Sequence, residues 1–138
     1  MIILDTNVVS EMMRPAPTPS VLHWFANLSA EDAHLTSITV AEILLGIELL
    51  PAGRRRDVLR AAAEKTLGVF TGHILAFDDK VAHAFPVVSA MRRRQGRPMS
   101  EFDAQIAAIA RTNGAMLATR DTDDFEGCGV RLVNPWKG

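Results

Sequence analysis

Four carboxylic acids stand where a short apolar segment of the chain gives way to a turn or a helix: Asp5, Glu42, Asp103 and Asp121. In an open, mostly parallel α/β sheet, the carboxyl ends of the strands and the nearby helix starts share one edge, where ligands bind. Carboxylates gathered at that edge repel one another unless a cation lies between them. A hard divalent metal, which prefers oxygen ligands, is the simplest such cation. The pattern therefore points to a metal-dependent phosphodiester hydrolase.

Each of these acids also has a purely structural explanation. Thr39-x-x-Glu42 has the form of a capping box, and Ser100-x-x-Asp103 nearly so. Asp5-Thr6-Asn7 could open a turn, and residues 121–124 could form a polar loop. Because caps occur at helix starts, four independent caps could produce the same pattern. The residue types alone leave the capping and catalytic interpretations open.

The elements that would position the acids follow from the apolar patterns and the helix signals. Strands alternate with helices, which predicts βαβ units and a central, mostly parallel sheet of four to five strands with helices on both faces. Pro86 lies inside a predicted helix and should kink it. The predicted strands cover residues 1–4, 33–38, 73–77, 115–119 and 130–133, and the predicted helices cover 19–28, 40–50, 54–67, 79–96 and 100–113.

Length and composition indicate one soluble domain. The 138 residues suffice for a single sizeable core, and no apolar run approaches the ~20 residues needed to cross a bilayer. The first residues lack the basic region of a signal peptide. The single cysteine, Cys128, excludes an intrachain disulfide framework. We therefore expect a cytoplasmic protein without membrane contact.

The charge distribution is more informative than the net charge of −1. Arginines cluster at residues 54–56 and again at Arg92, Arg93, Arg94 and Arg97. An acidic site flanked by arginines suits an enzyme that binds a polyanion and cuts it with metal, so the second cluster is a candidate for contacts with that polyanion. A solvated helix end explains it equally well, because cations are favoured at helix C-termini.

The ordered set of motifs resembles a PIN domain. An apolar strand leads into Asp5-Thr6-Asn7, Glu42 lies in Val40-Ala41-Glu42-Ile43, and Asp103 stands near a helix start. Thr119-Arg120-Asp121 then closes the fourth strand, and the chain ends with Asn134-Pro135-Trp136. More narrowly, the chain is similar to VapC-type toxins of toxin–antitoxin pairs, including the FitB-like group. The resemblance extends over essentially all of residues 1–138, which we therefore expect to form a single PIN domain.

The resemblance implies a three-layer α/β/α fold and RNA cleavage that depends on Mg²⁺ or Mn²⁺. The polyanion that the second arginine cluster would contact is then RNA. Carried over by position, Asp5, Glu42, Asp103 and Asp121 would be the catalytic, metal-binding acids, with Asp124 as an auxiliary acid. We further expect Thr6, Asn7 and Thr119 to order the site through hydrogen bonds. The family also implies a homodimer and a cognate VapB- or FitA-like antitoxin that covers the acidic groove within a larger complex.

Three other functions remain as alternatives. A haloacid-dehalogenase-like phosphatase also begins with an aspartate at a strand end, but it normally needs Asp-x-Asp and a positioned lysine, whereas this chain has Asp5-Thr6-Asn7. A phosphate-accepting receiver domain likewise needs a lysine that is not evident here. A non-catalytic PIN module that binds RNA or a partner would keep the fold and lose only the chemistry.

Overall fold

The computed structural model describes residues 1–137 and confirms an α/β architecture. Strands and helices alternate along most of the chain, with a short 3₁₀ turn at Thr122–Asp124. The elements are β1 (Ile2–Leu4), α1 (Thr6–Met12), α2 (Pro19–Ala26), β2 (Ala33–Thr36), α3 (Ser37–Glu48), α4 (Arg54–Val69), β3 (Ile74–Leu75), α5 (Asp79–Arg94), α6 (Glu101–Thr112), β4 (Met116–Ala118) and β5 (Leu132–Val133).

The five strands form one sheet in the order β3-β2-β1-β4-β5, and all four pairs of neighbours are parallel. From β1 the chain builds outward through β2 and β3 on one side, then returns to add β4 and β5 on the other. The strand order thus reverses beside β1. In sheets of this kind a crevice opens at the carboxyl ends of the strands that flank the reversal, which here are β1 and β4.

Apolar residues on both faces of the sheet produce three layers. Successive side chains of a strand point to opposite faces. Ile3 and Leu117 pack with apolar residues of α5 and α6. Leu4 and Ala118, each one residue further on, pack with residues of α1, α3 and α4. This arrangement confirms the expected α/β/α layers with a parallel sheet between them.

Helix α1 was not predicted, and it begins at the first of the four acids. Asp5 is its N-cap, and the Asp5 carboxylate accepts a hydrogen bond from the backbone N–H of Thr6. The helix is only seven residues long and contains the adjacent β-branched residues Val8 and Val9, which have low helix propensity. Both valines are buried in the core, so tertiary packing stabilises this helix.

The predicted capping box at Glu42 is wrong. Helix α3 begins at Ser37, and its N-cap is Thr36, whose hydroxyl accepts from the Thr39 N–H at 3.0 Å. Glu42 therefore lies in the second turn of the helix, beyond the reach of a capping role. The predicted cap of α6 is confirmed, because the Ser100 hydroxyl accepts from the Asp103 N–H at 3.2 Å.

The remaining differences concern element lengths. Strands β3 and β5 contain two residues each, fewer than predicted. Helix α5 runs from Asp79 to Arg94 and continues through Pro86. Within residues 1–137, no helix is long and apolar enough to cross a membrane.

Candidate active site

The four predicted acids line one cleft at the carboxyl ends of β1 and β4. They come from four parts of the chain: Asp5 after β1, Glu42 in α3, Asp103 in α6 and Asp121 after β4. The cleft has a volume of about 500 Å³. Its lining residues are Asp5, Thr6, Asn7, Ser10, Glu11, Arg14, Glu42, Asp103, Arg120, Asp121 and Trp136.

Asp5 is buried at the base of this cleft and held on both carboxylate oxygens. Its Oδ1 accepts from the Thr6 N–H at 2.8 Å, and its Oδ2 accepts from the Thr119 hydroxyl at 2.7 Å. The Asp5 N–H donates to the carbonyl of Ala118, which ties the end of β1 to the end of β4. The position and orientation of this carboxylate are therefore set by two neighbouring strands and a helix start.

Burial disfavours the ionised form of Asp5. It raises the pKa of the Asp5 carboxyl from its ordinary 3.8 to about 6. The hydrogen bonds from Thr119 and Thr6 oppose this shift, and the charges of Asp103 and Glu42 add to it. Desolvation thus outweighs repulsion between the acids, whereas the sequence argument considered only repulsion. A cation in the cleft would reverse the balance, because an opposite charge favours the carboxylate.

Thr6 positions Glu42 across the cleft. The Thr6 hydroxyl lies 2.9 Å from Glu42 Oε1 and 3.2 Å from the hydroxyl of Thr39. A hydroxyl has one proton to donate. The Glu42 carboxylate is both the closer and the stronger acceptor, so the Thr6 hydroxyl donates to Glu42. Thr6, whose backbone N–H donates to Asp5, therefore connects Asp5 to Glu42.

Asn7 and Thr119 hold Asp121. The Asn7 side-chain amide donates to Asp121 Oδ2 at 3.1 Å, and the Asp121 N–H donates to the Thr119 hydroxyl at 3.1 Å. Because Thr119 also donates to Asp5, its single buried hydroxyl connects two of the four acids. Thr6, Asn7 and Thr119 thus occupy the positions that an ordering role requires.

Asp103 is half-buried, and the other acids influence it electrostatically. Burial is the largest cause of its raised pKa, and the charges of Asp124, Glu42 and Asp121 raise the pKa further. Hydrogen bonding from Ser100 acts in the opposite direction. Asp124 is not part of the cleft lining, yet it is near enough to contribute to the charge around Asp103.

The donor set suits a hard cation that keeps part of its water shell. Within residues 1–137, no three His, Cys, Asp or Glu side chains are gathered tightly enough to hold an ion as a closed group. Mg²⁺ does not require such a group, since it is usually bound through one or two carboxylates and several waters. Among the described residues that line the cleft, the side chains suited to bind a metal are carboxylates. None is a histidine or a cysteine, which supply the nitrogen and sulfur ligands typical of structural zinc sites. The cleft therefore fits Mg²⁺ or Mn²⁺.

Glu11 is a cleft residue that sequence reasoning missed. It is buried, and its carboxylate accepts from the backbone N–H of Thr18 at 2.9 Å, from the Thr18 hydroxyl and from Arg14. These contacts, above all those of Thr18, lower the pKa of the Glu11 carboxyl to about 2. Thr18 is the N-cap residue of α2, but its side chain makes no capping bond there. Only the fold shows that the Thr18 hydroxyl serves Glu11 instead.

The predicted RNA contact of Arg92 does not agree with its position. Arg92 is buried, and its guanidinium donates to the backbone carbonyls of Arg97, Asp124 and Glu126 at 2.7–2.8 Å. It braces the segment that follows Asp121. Arg93, Arg94 and Arg97 are exposed, but none of them lines the cleft.

Comparison with known proteins identifies the family. The family model described as PIN domain matches residues 2–128. This chain belongs to the PIN-domain family. It is 41% identical over 137 residues to the toxin FitB of Neisseria gonorrhoeae, with 99% of each chain covered. It is 38% identical to the VapC ribonuclease Y4jK of Sinorhizobium fredii, again over 99% of each chain.

A solved structure of a related protein has the same PIN fold as this chain. The crystal structure of FitAcB from Neisseria gonorrhoeae superimposes with a TM-score of 0.90 at 41% sequence identity, and 99% of each chain is covered. At this coverage the similarity extends over the whole PIN domain, including the α1 helix and both ends of the sheet. The family resemblance read from the motifs is thereby confirmed.

Proposed function

We propose that this PIN domain is an Mg²⁺- or Mn²⁺-dependent endoribonuclease that acts as the toxin of a toxin–antitoxin pair. The observation that carries the proposal is the convergence of four carboxylates, from four elements, on one cleft at the reversal of strand order. The similarity to a VapC ribonuclease and to the toxin FitB supports both the reaction class and the biological role.

Asp5 and Asp103 are the proposed direct metal ligands, and Glu42 and Asp121 bind a second ion or orient its waters. A bound divalent ion would supply an activated water and neutralise charge developing on the phosphate. The chain's own part is to hold the acids in place. Mutation of a side chain that orients a metal ligand typically lowers metal affinity or activity roughly 10–100-fold.

Three side chains provide this support. Thr119 holds Asp5, Thr6 holds Glu42 and Asn7 holds Asp121. Each of these side chains donates to one oxygen of its carboxylate, which fixes the position of that acid in the cleft. Asp124 is proposed as an auxiliary acid, because its charge acts on Asp103 without lining the cleft.

The phosphatase alternative finds little support in the cleft. Its second aspartate would stand at position 7, where Asn7 instead donates to Asp121 and accepts from the Arg120 N–H. Among the described residues that line the cleft there is no lysine, and Lys65 lines a separate apolar cavity. A non-catalytic module is the remaining rival, and it differs from the proposal only in activity.

Incubation of antitoxin-free protein with total RNA in Mg²⁺, Mn²⁺ or EDTA tests the proposal. We expect cleavage with metal, none in EDTA, and none with Asp5→Asn or Asp103→Asn. Asp123→Asn is the matched control, since Asp123 is exposed in the loop after Asp121 and does not line the cleft. Cleavage that persists in Asp5→Asn, or a folded wild type that cuts no RNA with either metal, would refute the nuclease assignment.

The similarity to the toxin FitB and to FitAcB supports an antitoxin partner, and the family resemblance implies a homodimer. We propose a homodimer that assembles with a VapB- or FitA-like antitoxin into a larger complex. Arginine pairs strongly with carboxylates in bidentate geometry, so an antitoxin segment bearing arginine would bind the acidic cleft and block it. Light scattering on the purified protein tests the dimer, and inhibition of RNA cleavage by the co-purified antitoxin tests the complex.

A further inference from the structure

Arg120 and Trp136 form one wall of the acidic cleft, at the end where β4 and β5 finish. Both residues line the cleft together with the acids. The guanidinium carbon of Arg120 lies 5.1 Å from the centroid of the indole ring, a cation–π arrangement. Arg120 is exposed and Trp136 is half-buried, so the pair is open to solvent from the side of the guanidinium.

Asn134 holds this pair together. Its side-chain oxygen accepts from the backbone N–H of Trp136 at 2.9 Å, and its side-chain amide donates to the backbone carbonyl of Arg120 at 3.3 Å. The N–H of Arg120 in turn donates to Asn7, the residue that holds Asp121. The Asn134-Pro135-Trp136 motif therefore joins the Arg120–Trp136 wall to the network of the acids.

The chemistry of the wall differs from that of the acids. Carboxylates and metal act on a phosphate, whereas a planar cation layered on an indole offers a flat, polarisable and positively charged surface. Unpaired RNA bases stack on aromatic side chains and on arginine planes. Of the described residues that line the cleft, Trp136 is the one with an aromatic side chain.

We propose that Arg120 and Trp136 form a nucleobase subsite, on which an unpaired base next to the cleaved phosphate stacks. This inference rests on the proposed nuclease function and specifies its substrate class as single-stranded RNA. In a duplex the base is already stacked and paired, so it would reach the wall only after unpairing.

The fluorescence of Trp136 can report the binding of a base in this test. It contains two tryptophans and no tyrosine, so Trp24→Phe leaves Trp136 as the sole source of tryptophan emission. An Asp103→Asn background prevents cleavage during the titration. We expect a single-stranded oligoadenylate to change the Trp136 emission as it binds. We expect the same backbone without bases to bind about tenfold more weakly or worse.

Substitutions separate stacking from charge, and the anisotropy of a dye-labelled strand measures their binding, because variants at position 136 lose the tryptophan reporter. Arg120→Lys keeps the charge and loses the plane, so it should lose the preference for the base-containing strand while its abasic binding stays close to that of the parent. Trp136→Leu should also lose the preference, and Trp136→Phe should retain most of it. Circular dichroism establishes that each variant is folded, and the phenylalanine variant tests the ring itself.

The outcomes distinguish this inference from the nuclease proposal. An unchanged base preference in Trp136→Leu and Arg120→Lys, or no change in Trp136 emission on binding, overturns the subsite even if the wild type cleaves RNA. Failure of the wild type to cleave or bind any RNA overturns the nuclease function and the subsite with it. Loss of base preference in both variants, with preserved abasic binding in Arg120→Lys, supports the subsite.

Discussion

Replacing Asp5 with asparagine should stabilise the metal-free protein at neutral pH while it abolishes cleavage. The pKa of Asp5 is about 6 in the fold and 3.8 ordinarily. At about 1.36 kcal/mol per pH unit, ionised Asp5 therefore costs the folded state ~3 kcal/mol well above pH 6. Asparagine avoids this cost because it carries no charge.

The substitution also disturbs one hydrogen bond. Asparagine keeps an acceptor for the Thr6 N–H, but its amide would face the Thr119 hydroxyl, which already accepts from Asp121 and Asn7. The lost bond costs about 1 kcal/mol. The expected net gain in unfolding free energy is ~2 kcal/mol at pH 8 in EDTA, equivalent to a few degrees in Tm.

The sign of the pH dependence provides the sharper test. A carboxyl whose pKa is raised by folding contributes stability that is full below its unfolded pKa and lost as pH rises through its folded pKa. The advantage of Asp5→Asn should therefore grow by ~2–3 kcal/mol between pH 4 and pH 8, mostly below pH 7. Excess Mg²⁺ should reverse the order, because only the wild type gains the binding free energy of the metal.

Chemical denaturation in EDTA across this pH range measures the effect, with Asp32→Asn as the control because Asp32 is exposed and outside the cleft. The reasoning is refuted if Asp5→Asn is less stable than wild type at pH 8 in EDTA. It is refuted equally if the difference between the two proteins does not change with pH, since burial of the charge would then not be the cause.

Three further perturbations test the supporting structure. Thr119→Val removes the hydroxyl shared by Asp5 and Asp121 and should lower RNA cleavage roughly 10–100-fold, with Thr119→Ser restoring most of it. Arg92→Met removes three hydrogen bonds from a buried guanidinium to backbone carbonyls and should lower the unfolding free energy by about 2–4 kcal/mol in urea denaturation. Mg²⁺ at 100 times its Kd should raise the unfolding free energy of the wild type by about 2.7 kcal/mol. Asp103→Asn should show much less of this gain in calorimetry.

Most of the fold could be predicted because its signals are local. Apolar strands that end at a polar residue, proline and glycine at helix ends, and Ser100 as a cap all act within a few residues of sequence. Gly114, for example, ends α6 with a φ of +60°, the left-handed conformation that favours glycine. The same local signals failed at α1, where buried Val8 and Val9 are stabilised by packing against the core.

The four acids that line the cleft were predicted from the sequence, but the main cause of the raised pKa of Asp5 and of Asp103 was not. Repulsion between carboxylates was the predicted source of perturbation, whereas burial is the larger cause for both Asp5 and Asp103. Burial depends on what surrounds a side chain in three dimensions. For Glu42, the observed start of α3 excludes the capping interpretation. The structure shows instead that Thr6 donates a hydrogen bond to this acid.

By itself the sequence determined the order of strands and helices apart from α1, the parallel α/β class and the four acids that line the cleft, since each is encoded by residue type and short spacing. The tertiary structure alone decided which acid each of Thr6, Asn7 and Thr119 supports. Asn7 and Asp121 meet across 114 residues of chain, and Arg92 and Asp124 across 32. Such contacts depend on how distant segments converge at one edge of the sheet, and no local pattern records that geometry.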